Sequence, residues 1–394
     1  MPRPQKHGED GPSVIDALLY KFRLALMRGA PLSDGASVLV AVSGGPSSCC
    51  LLEAMKRFHA IDPAMPRKPR KFAKVIVCYV DPSAVLGYPE KAGQIAEAAA
   101  AADFECVTVT LESMFLNPDE SDPGVVNVDG PSTEATLVKS ATSSLSPKAR
   151  LQQCFQSLGT ATAKEDMIDL LTNKAILRAA RRAGCTLVLR GDTSTRMAVN
   201  TVAQTSKGLG FAMPIEMADR PTWPADIEVV RPLRDLSAKQ IAIFNRAAKV
   251  ETFVTPGVTS GMPAKASIDR LTEAFVVGLV KDFPMTVNTV LRTAMKVRTE
   301  CEDKETLRCS FCDGYERKLH FVGVLRLLYL TIYQCRPMQE DSQDWRTKHT
   351  VTQLQPTLLQ EESLPVASVL CYGCQNLCRD RKGALMLPGY ILPH

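Results

Sequence analysis

Residues 38–48 read VLVAVSGGPSS, and the reading of the chain starts there. With Ser37 in front, the run carries three valines in six residues and no charge. A short, continuous apolar run of this kind suits a parallel strand buried on both faces. It stops at Ser43-Gly44-Gly45, where two glycines permit a tight turn and Ser43 is placed to cap a following helix. The apolar stretch Cys49 to Met55 continues as that helix. In such a turn, main-chain N–H groups can approach a phosphate with no Cβ in the way. The helix adds the positive end of its dipole, and Ser43, Ser47 and Ser48 add hydroxyls. The same turn also serves as a plain strand-to-helix connection. It is neither a Walker loop, which ends in Gly-Lys-Ser/Thr, nor a G-x-G-x-x-G dinucleotide loop.

Working outward, residues 14–28 space their apolar side chains at helical intervals. KVIVCYVD (74–81) and ECVTVTL (105–111) read as further buried strands, with an alanine-rich helix between them from Glu90 to Ala102. KEDMIDLLTNKAILRAARRAG is an amphipathic helix closed by Gly184. CTLVLRGD (185–192) is the next strand, followed by a helix from Ser194, the strand DIEVVRPL and the helix SAKQIAIFNRAAK. This alternation predicts an α/β fold with a mostly parallel, doubly wound sheet of Rossmann-like type. Residues 117–163 are polar, rich in Ser, Thr and Pro, and aperiodic, which reads as a surface insertion. The last third differs, with helical segments around 267–300 and 317–334, a polar stretch at 336–364 and two cysteine pairs. The expected organisation is a helical segment at 1–30, an α/β domain at 31–260 and a helical C-terminal region at 261–394.

Composition bounds the classes. The chain has 394 residues, 45% hydrophobic and 23% charged, enough to bury a core and too apolar for wholesale disorder. No apolar run approaches the 18–20 residues or so of a spanning helix, so no membrane partner is expected. The first thirteen residues have no apolar segment of the kind a secretory signal carries. A net charge of +5 suits an RNA partner held by local patches rather than by overall charge. Thirteen cysteines, an odd number, point to a reducing cytoplasmic setting. Cys49, Cys50, Cys78, Cys106 and Cys185 sit in apolar stretches and read as buried thiols.

The loop resembles the PP-loop of the ATP pyrophosphatase superfamily, Ser-Gly-Gly-x-Asp-Ser after a buried strand. Ser43, Gly44, Gly45 and Ser48 match, and Ser47 stands at the Asp position. In that superfamily the loop binds ATP, which adenylates an RNA base or a small molecule and leaves pyrophosphate. VLRGDTSTRMAVNTVAQTSKGLG, with Gly191 and Asp192, looks like the second family motif, and RPLRDLSAKQIAIFNR like its Arg-Pro-Leu-Arg-Asp element. Together with FPMTVNTVLRTAMKV and CYGC, these features are similar to the tRNA 2-thiolation branch, in which a noncatalytic chain pairs with a catalytic thiolase. The resemblance covers roughly residues 37–111, 164–300 and 305–377. It implies a nucleotide site at Ser43, Gly44, Gly45, Ser47, Ser48, Gly191 and Asp192, with ATP binding left open by the loss of the loop Asp. The partners it implies are the thiolase subunit as a heterodimer, tRNA, and a thiocarboxylated ubiquitin-related modifier as sulfur donor.

Thiolase relatives carry Cys-x-x-Cys ahead of the long helix and a further Cys after the Arg-Pro element. Here ATAKEDMIDLLTNKAIL has no cysteine, nor has Arg231 to Pro263. A thiolate is needed as nucleophile or ligand, and Asp, Lys and Met cannot replace it. Cys154 and Cys185 lie away from the matching positions, so no catalytic residue is expected on this chain. Cys309-Ser-Phe-Cys312 and Cys371-Tyr-Gly-Cys374 are two Cys-x-x-Cys knuckles. Four thiolates suit a tetrahedral structural zinc ion; Cys378 is an alternative fourth ligand. Basic clusters occur at Arg67, Lys68, Arg70 and Lys71, at Arg178, Arg181 and Arg182, and at Arg379, Arg381 and Lys382. Each is either solvated surface or part of a tRNA-binding face. The leading expectation is a noncatalytic subunit for 2-thiolation of the wobble uridine in tRNAs for Lys, Glu and Gln. The alternative is a self-sufficient PP-loop enzyme adenylating RNA or a small molecule.

Overall fold

The computed structural model describes residues 14–29, 35–60, 72–116, 125–129, 136–140, 145–210, 217, 226–296, 307–312, 315–316 and 363–391. Arg67, Lys68, Arg70 and Lys71 lie outside these residues, as do the helix expected over 317–334 and most of the polar stretch 336–364. The elements of the first half are α1 (Val14–Gly29), β1 (Ser37–Ala41), α2 (Pro46–His59), β2 (Lys74–Asp81), α3 (Ser83–Leu86), α4 (Ala92–Ala100) and β3 (Glu105–Thr110). Then come β4 (Val125–Asp129), β5 (Thr136–Ser140), α5 (Pro147–Ser157), α6 (Ala161–Arg182), β6 (Leu187–Leu189), α7 (Ser194–Ser206) and β7 (Glu228–Val230).

The five strands β3-β2-β1-β6-β7 form one parallel sheet in that order. The chain runs outward from β1 through β2 to β3, then returns to place β6 and β7 on the other side. The order therefore reverses between β1 and β6, the position at which open α/β sheets form a ligand crevice at their carboxyl edge. The side-chain alternation shows why the central strand runs are apolar. Val38, Val40, Val75, Val77 and Tyr79 pack with α1, α2, α4 and the helix Ala238–Ala247 on one face. Leu39, Ile76, Cys78 and Val188 pack against α6 on the other.

The stretch 117–163 departs from its aperiodic reading. It contributes β4, β5 and α5, and the two strands form the centre of an antiparallel sheet completed by β10 (Ser363–Pro365) and β11 (Leu385–Pro388). Between them in sequence, β8 (Leu307–Arg308) and β9 (Tyr315–Glu316) pair antiparallel beside the first knuckle. A second core joins Phe115, Leu137, Leu151 and Phe155 to the knuckle cysteines. The 22-residue helix α6 links the two cores: Met167 and Leu171 enter the second, Ile176 and Ala180 the first. At about 1.5 Å per residue it spans roughly 33 Å. Helices Ile268–Asp282 and Thr286–Lys296 complete the C-terminal region, packing Val276 and Val287 on Ala198 and Val199 of α7.

Gly44 sits at φ +82°, and a Cβ there would come within 2.7 Å of the Phe253 carbonyl oxygen. Gly44→Ala should therefore cost about 2 kcal/mol or more in urea unfolding, from left-handed strain plus overlap. Gly93→Ala, in α4 with open space around it, should be neutral or stabilising.

Candidate functional site

The loop after β1 is held by its own atoms, by two neighbouring main chains and by the Asn245 side chain, whose amide donates to the Pro46 carbonyl at 2.8 Å. Pro46 occupies the first helical position, so Gly45 is the N-cap of α2 and no side chain caps it. Ser43 thus does not cap the helix, contrary to the sequence reading. Its hydroxyl instead lies 3.2 Å from that of Ser48. The Ser48 hydroxyl donates to the Gly45 carbonyl (3.0 Å) and accepts from the Ser43 N–H (3.2 Å), so it braces the turn from inside. The Gly44 carbonyl accepts from the Phe253 N–H at 2.7 Å and from the Cys49 thiol at 3.3 Å. From the other side, Gly191 lies so close that a Cβ would sit 3.1 Å from the Ser47 carbonyl and the Ser48 Cα.

These approaches enclose a cleft of about 560 Å³ at the switch point, lined by the loop and by Gly191, Asp192, Thr193, Arg196 and Asn200. Six of the seven residues expected at a nucleotide site line it. The seventh, Gly44, is buried beneath the turn. The start of α2 carries no side-chain cap, and its residues Ser47 and Ser48 line this space, which suits an anion.

The sequence reading missed the arginines that shape the cleft. The Arg231 Nε donates to the Asp192 carboxylate at 3.1 Å, and the Arg190 Nε lies 3.3 Å from the same oxygen. Arg196, at the start of α7, is exposed on the wall. Burial alone would raise the Asp192 carboxyl, but Arg190, Arg231 and Arg196 outweigh it and hold it below its ordinary value. The Arg-Pro-Leu-Arg-Asp element is the signal that could have found Arg231. Its second arginine, Arg234, is buried and donates to the Met217 carbonyl at 2.9 Å, and Asp235 pairs with Arg28 of α1.

The cysteines separate into three groups. Cys78 lines the cleft, but burial beside Cys106 and Cys185 pushes its thiol up to about 12. Cys154 is fully buried in the second core, and Cys185 precedes β6 at the opposite edge of the sheet; burial raises both. Cys309, Cys312, Cys371 and Cys374 come together, with all four Sγ atoms within 4.8 Å of one another and Cys312 and Cys371 at 3.7 Å. Tetrahedral coordination with zinc–sulfur bonds of 2.3 Å requires sulfur separations of about 3.8 Å. The donor set therefore fits a single metal ion. Hydrogen bonds from the other three thiols draw the Cys309 thiol far below its ordinary value, while Cys312 and Cys374 move up. Cys378 stands outside the cluster, its thiol pushed up to about 12 by burial.

Of the basic candidates, Arg178 donates to the Ser113 and Leu116 carbonyls (3.2 and 3.0 Å), and Arg181 pairs with Asp226 at 2.6 Å. Arg182 follows at the exposed end of α6.

The family model described as cytoplasmic tRNA 2-thiolation protein 2 matches residues 267–376, which include both knuckles. The Danio rerio protein of that name is 28% identical over 95% of this chain and 84% of its own length. The Homo sapiens protein is 31% identical over 71% of this chain and 61% of its own. Over 95% of its length, the chain is similar to cytoplasmic tRNA 2-thiolation protein 2. Among solved structures, U34-tRNA thiolase NcsA from Methanococcus maripaludis is similar at a TM-score of 0.47 and 12% identity, over 74% of this chain and 83% of that one. NMN synthetase from Francisella tularensis is similar at a TM-score of 0.36 and 10% identity, over 75% of this chain and all (100%) of that one.

Two outcomes follow. Because Asp192 is depressed in the folded state, its contribution is present above the unfolded carboxylate value and lost as pH falls through the native one. Asp192→Asn should cost roughly 2–4 kcal/mol at pH 7 in urea unfolding, and the gap to wild type should close below about pH 4. Metal analysis should return about one zinc per chain. Chelation, or Cys309→Ser, should raise hydrogen exchange in β4, β5 and β11 before it does so in β1 and β2.

Proposed function

We propose that this chain is a noncatalytic subunit of the cytoplasmic tRNA 2-thiolation machinery, assembled as a heterodimer with a catalytic thiolase chain. The observation that carries the reading is the placement of the thiols. Among the described residues, Cys78 is the one cysteine lining the cleft, and its raised thiol is not the thiolate that sulfur transfer needs. Sulfur activation then belongs to the partner, with a thiocarboxylated ubiquitin-related modifier as donor and the wobble uridine of tRNAs for Lys, Glu and Gln as acceptor. Similarity to cytoplasmic tRNA 2-thiolation protein 2 supports the tRNA 2-thiolation role.

The role of each group on this chain follows from its position. Ser43, Gly44, Gly45, Ser47 and Ser48 offer a phosphate-sized turn, and Gly191 lets the second motif close against it. Arg196 adds a cation at the wall. The four knuckle cysteines would hold a zinc ion, which when bound ties the two knuckles into one unit. The cysteines then anchor the second core, where Phe311 and Leu377 pack beside them.

A self-sufficient PP-loop enzyme is the second reading, favoured by the preserved cleft. Pyrophosphate release separates the two. The purified chain with ATP and unmodified tRNA should show no RNA-dependent turnover, whereas the chain isolated with its partner should. Turnover by the single chain would establish the enzyme reading. Calorimetry should find weak or no ATP binding to the chain alone, since Ser47 replaces the loop carboxylate.

A further inference from the structure

A second cleft, of about 770 Å³, opens at the other end of α7. Its walls are the start of α6, the end of α7, the start of the helix Ile268–Asp282, and the helix Tyr372–Arg379 that carries the second knuckle. A three-way ionic contact fixes three of these walls. The Lys207 ammonium lies 2.6 Å from the Asp166 carboxylate of α6 and also bonds Asp269 of the following helix. The cleft therefore has a set shape.

The knuckle helix presents three side chains to this space at positions i, i+4 and i+7, which share one helical face: Tyr372, Asn376 and Arg379. Tyr372 is 46% exposed. Its ring rests on the backbone of Gly208, where a Cβ would come within 2.5 Å of the ring and φ is +80°. The aromatic plane is thus held in place before any ligand arrives. The Asn376 side-chain carbonyl accepts from Arg379 Nη1 at 3.2 Å, so its side-chain N–H groups are the donors it can offer a ligand in the cleft. Lys265, on the short turn Ala264–Ala266, adds an ammonium at the rim. The acids are already engaged: Asp166 with Lys207, and Asp380 with the Thr160 hydroxyl.

A fixed aromatic plane, an amide for a base edge and two cations for flanking phosphates form the set by which proteins take single-stranded RNA. We propose that this cleft holds one unstacked nucleotide of the RNA substrate, its base on Tyr372, its edge at Asn376 and its phosphates at Arg379 and Lys265. The inference rests on the tRNA reading above and adds where the RNA goes.

The test uses the full metal-loaded chain together with its co-purified partner. A tRNA transcript substituted with 5-bromouridine is irradiated, and the crosslinked peptide is identified; it should contain Tyr372. Tyr372→Ala should weaken transcript binding about tenfold, and Tyr372→Phe should restore it. Because Tyr372 lies between two metal-ligand cysteines, Arg379→Glu and Lys265→Glu provide the independent arm. Each should lower the slope of log affinity against log salt by about one, with zinc content unchanged. Wild-type affinity and slope in both charge variants, with crosslinks confined to other peptides, would overturn this inference alone. Failure of the wild-type complex to bind the transcript would overturn the tRNA reading and this inference with it.

Discussion

Three main chains meet at one turn, and the rest of the site depends on that meeting. The loop after β1 is touched on one side by the Phe253 peptide, at a distance that no side chain at Gly44 would allow, and on the other by Gly191, where a Cβ would press on Ser47 and Ser48. The first contact joins the loop to the chain that follows the helix Ala238–Ala247. The second joins it to the end of β6. The cleft exists because these backbones close around α2's uncapped N-terminus without filling it. Ser48, with its hydroxyl turned inward to Ser43 and Gly45, keeps the turn rigid without a ligand.

Two helices carry this local constraint across the molecule. The long α6 places its last turns under the parallel sheet and its first turns in the second core. The shorter α7 runs from the cleft, at Thr193 and Arg196, to the knuckle, where Gly208 meets Tyr372. The buried contacts at its two ends differ in kind: Asp192 with two arginines at one, Lys207 with two carboxylates at the other. Removing one partner from either would leave a charge uncompensated, which costs more than the pair itself contributes. The knuckle cluster is positioned to hold the second lobe together, since its sulfurs lie within the same core as Phe115, Leu151 and Leu385.

The parallel sheet was legible because its central strands β2, β1 and β6 are apolar runs buried on both faces, a signal local to a few residues; β3, also read as a buried strand, is a half-exposed edge. The knuckle cluster was legible from its paired spacing, although the pairs lie far apart in sequence. The antiparallel sheet was not. Val125–Asp129 and Thr136–Ser140 sit in a polar stretch, and their outer neighbours are β10 and β11, more than two hundred residues later. Pairing over that separation leaves no local pattern. Ser43 was misread as a cap because Pro46 at the first helical position moves the N-cap to Gly45. The arginines at Asp192 were missed because their role appears only when β6, β7 and α7 are side by side.

The central claim is that this chain serves tRNA thiolation through surfaces and a shaped cleft, not through a sulfur-carrying cysteine. Its most direct test is the 2-thiouridine content of bulk tRNA, measured by mass spectrometry in cells lacking the chain and then supplied with Cys78→Ser, Cys154→Ser and Cys185→Ser combined. The account predicts that loss of the chain abolishes the modification and that the triple variant restores it to the wild-type level. A triple variant that folds and pairs with its partner, yet leaves the tRNA unthiolated, would contradict it.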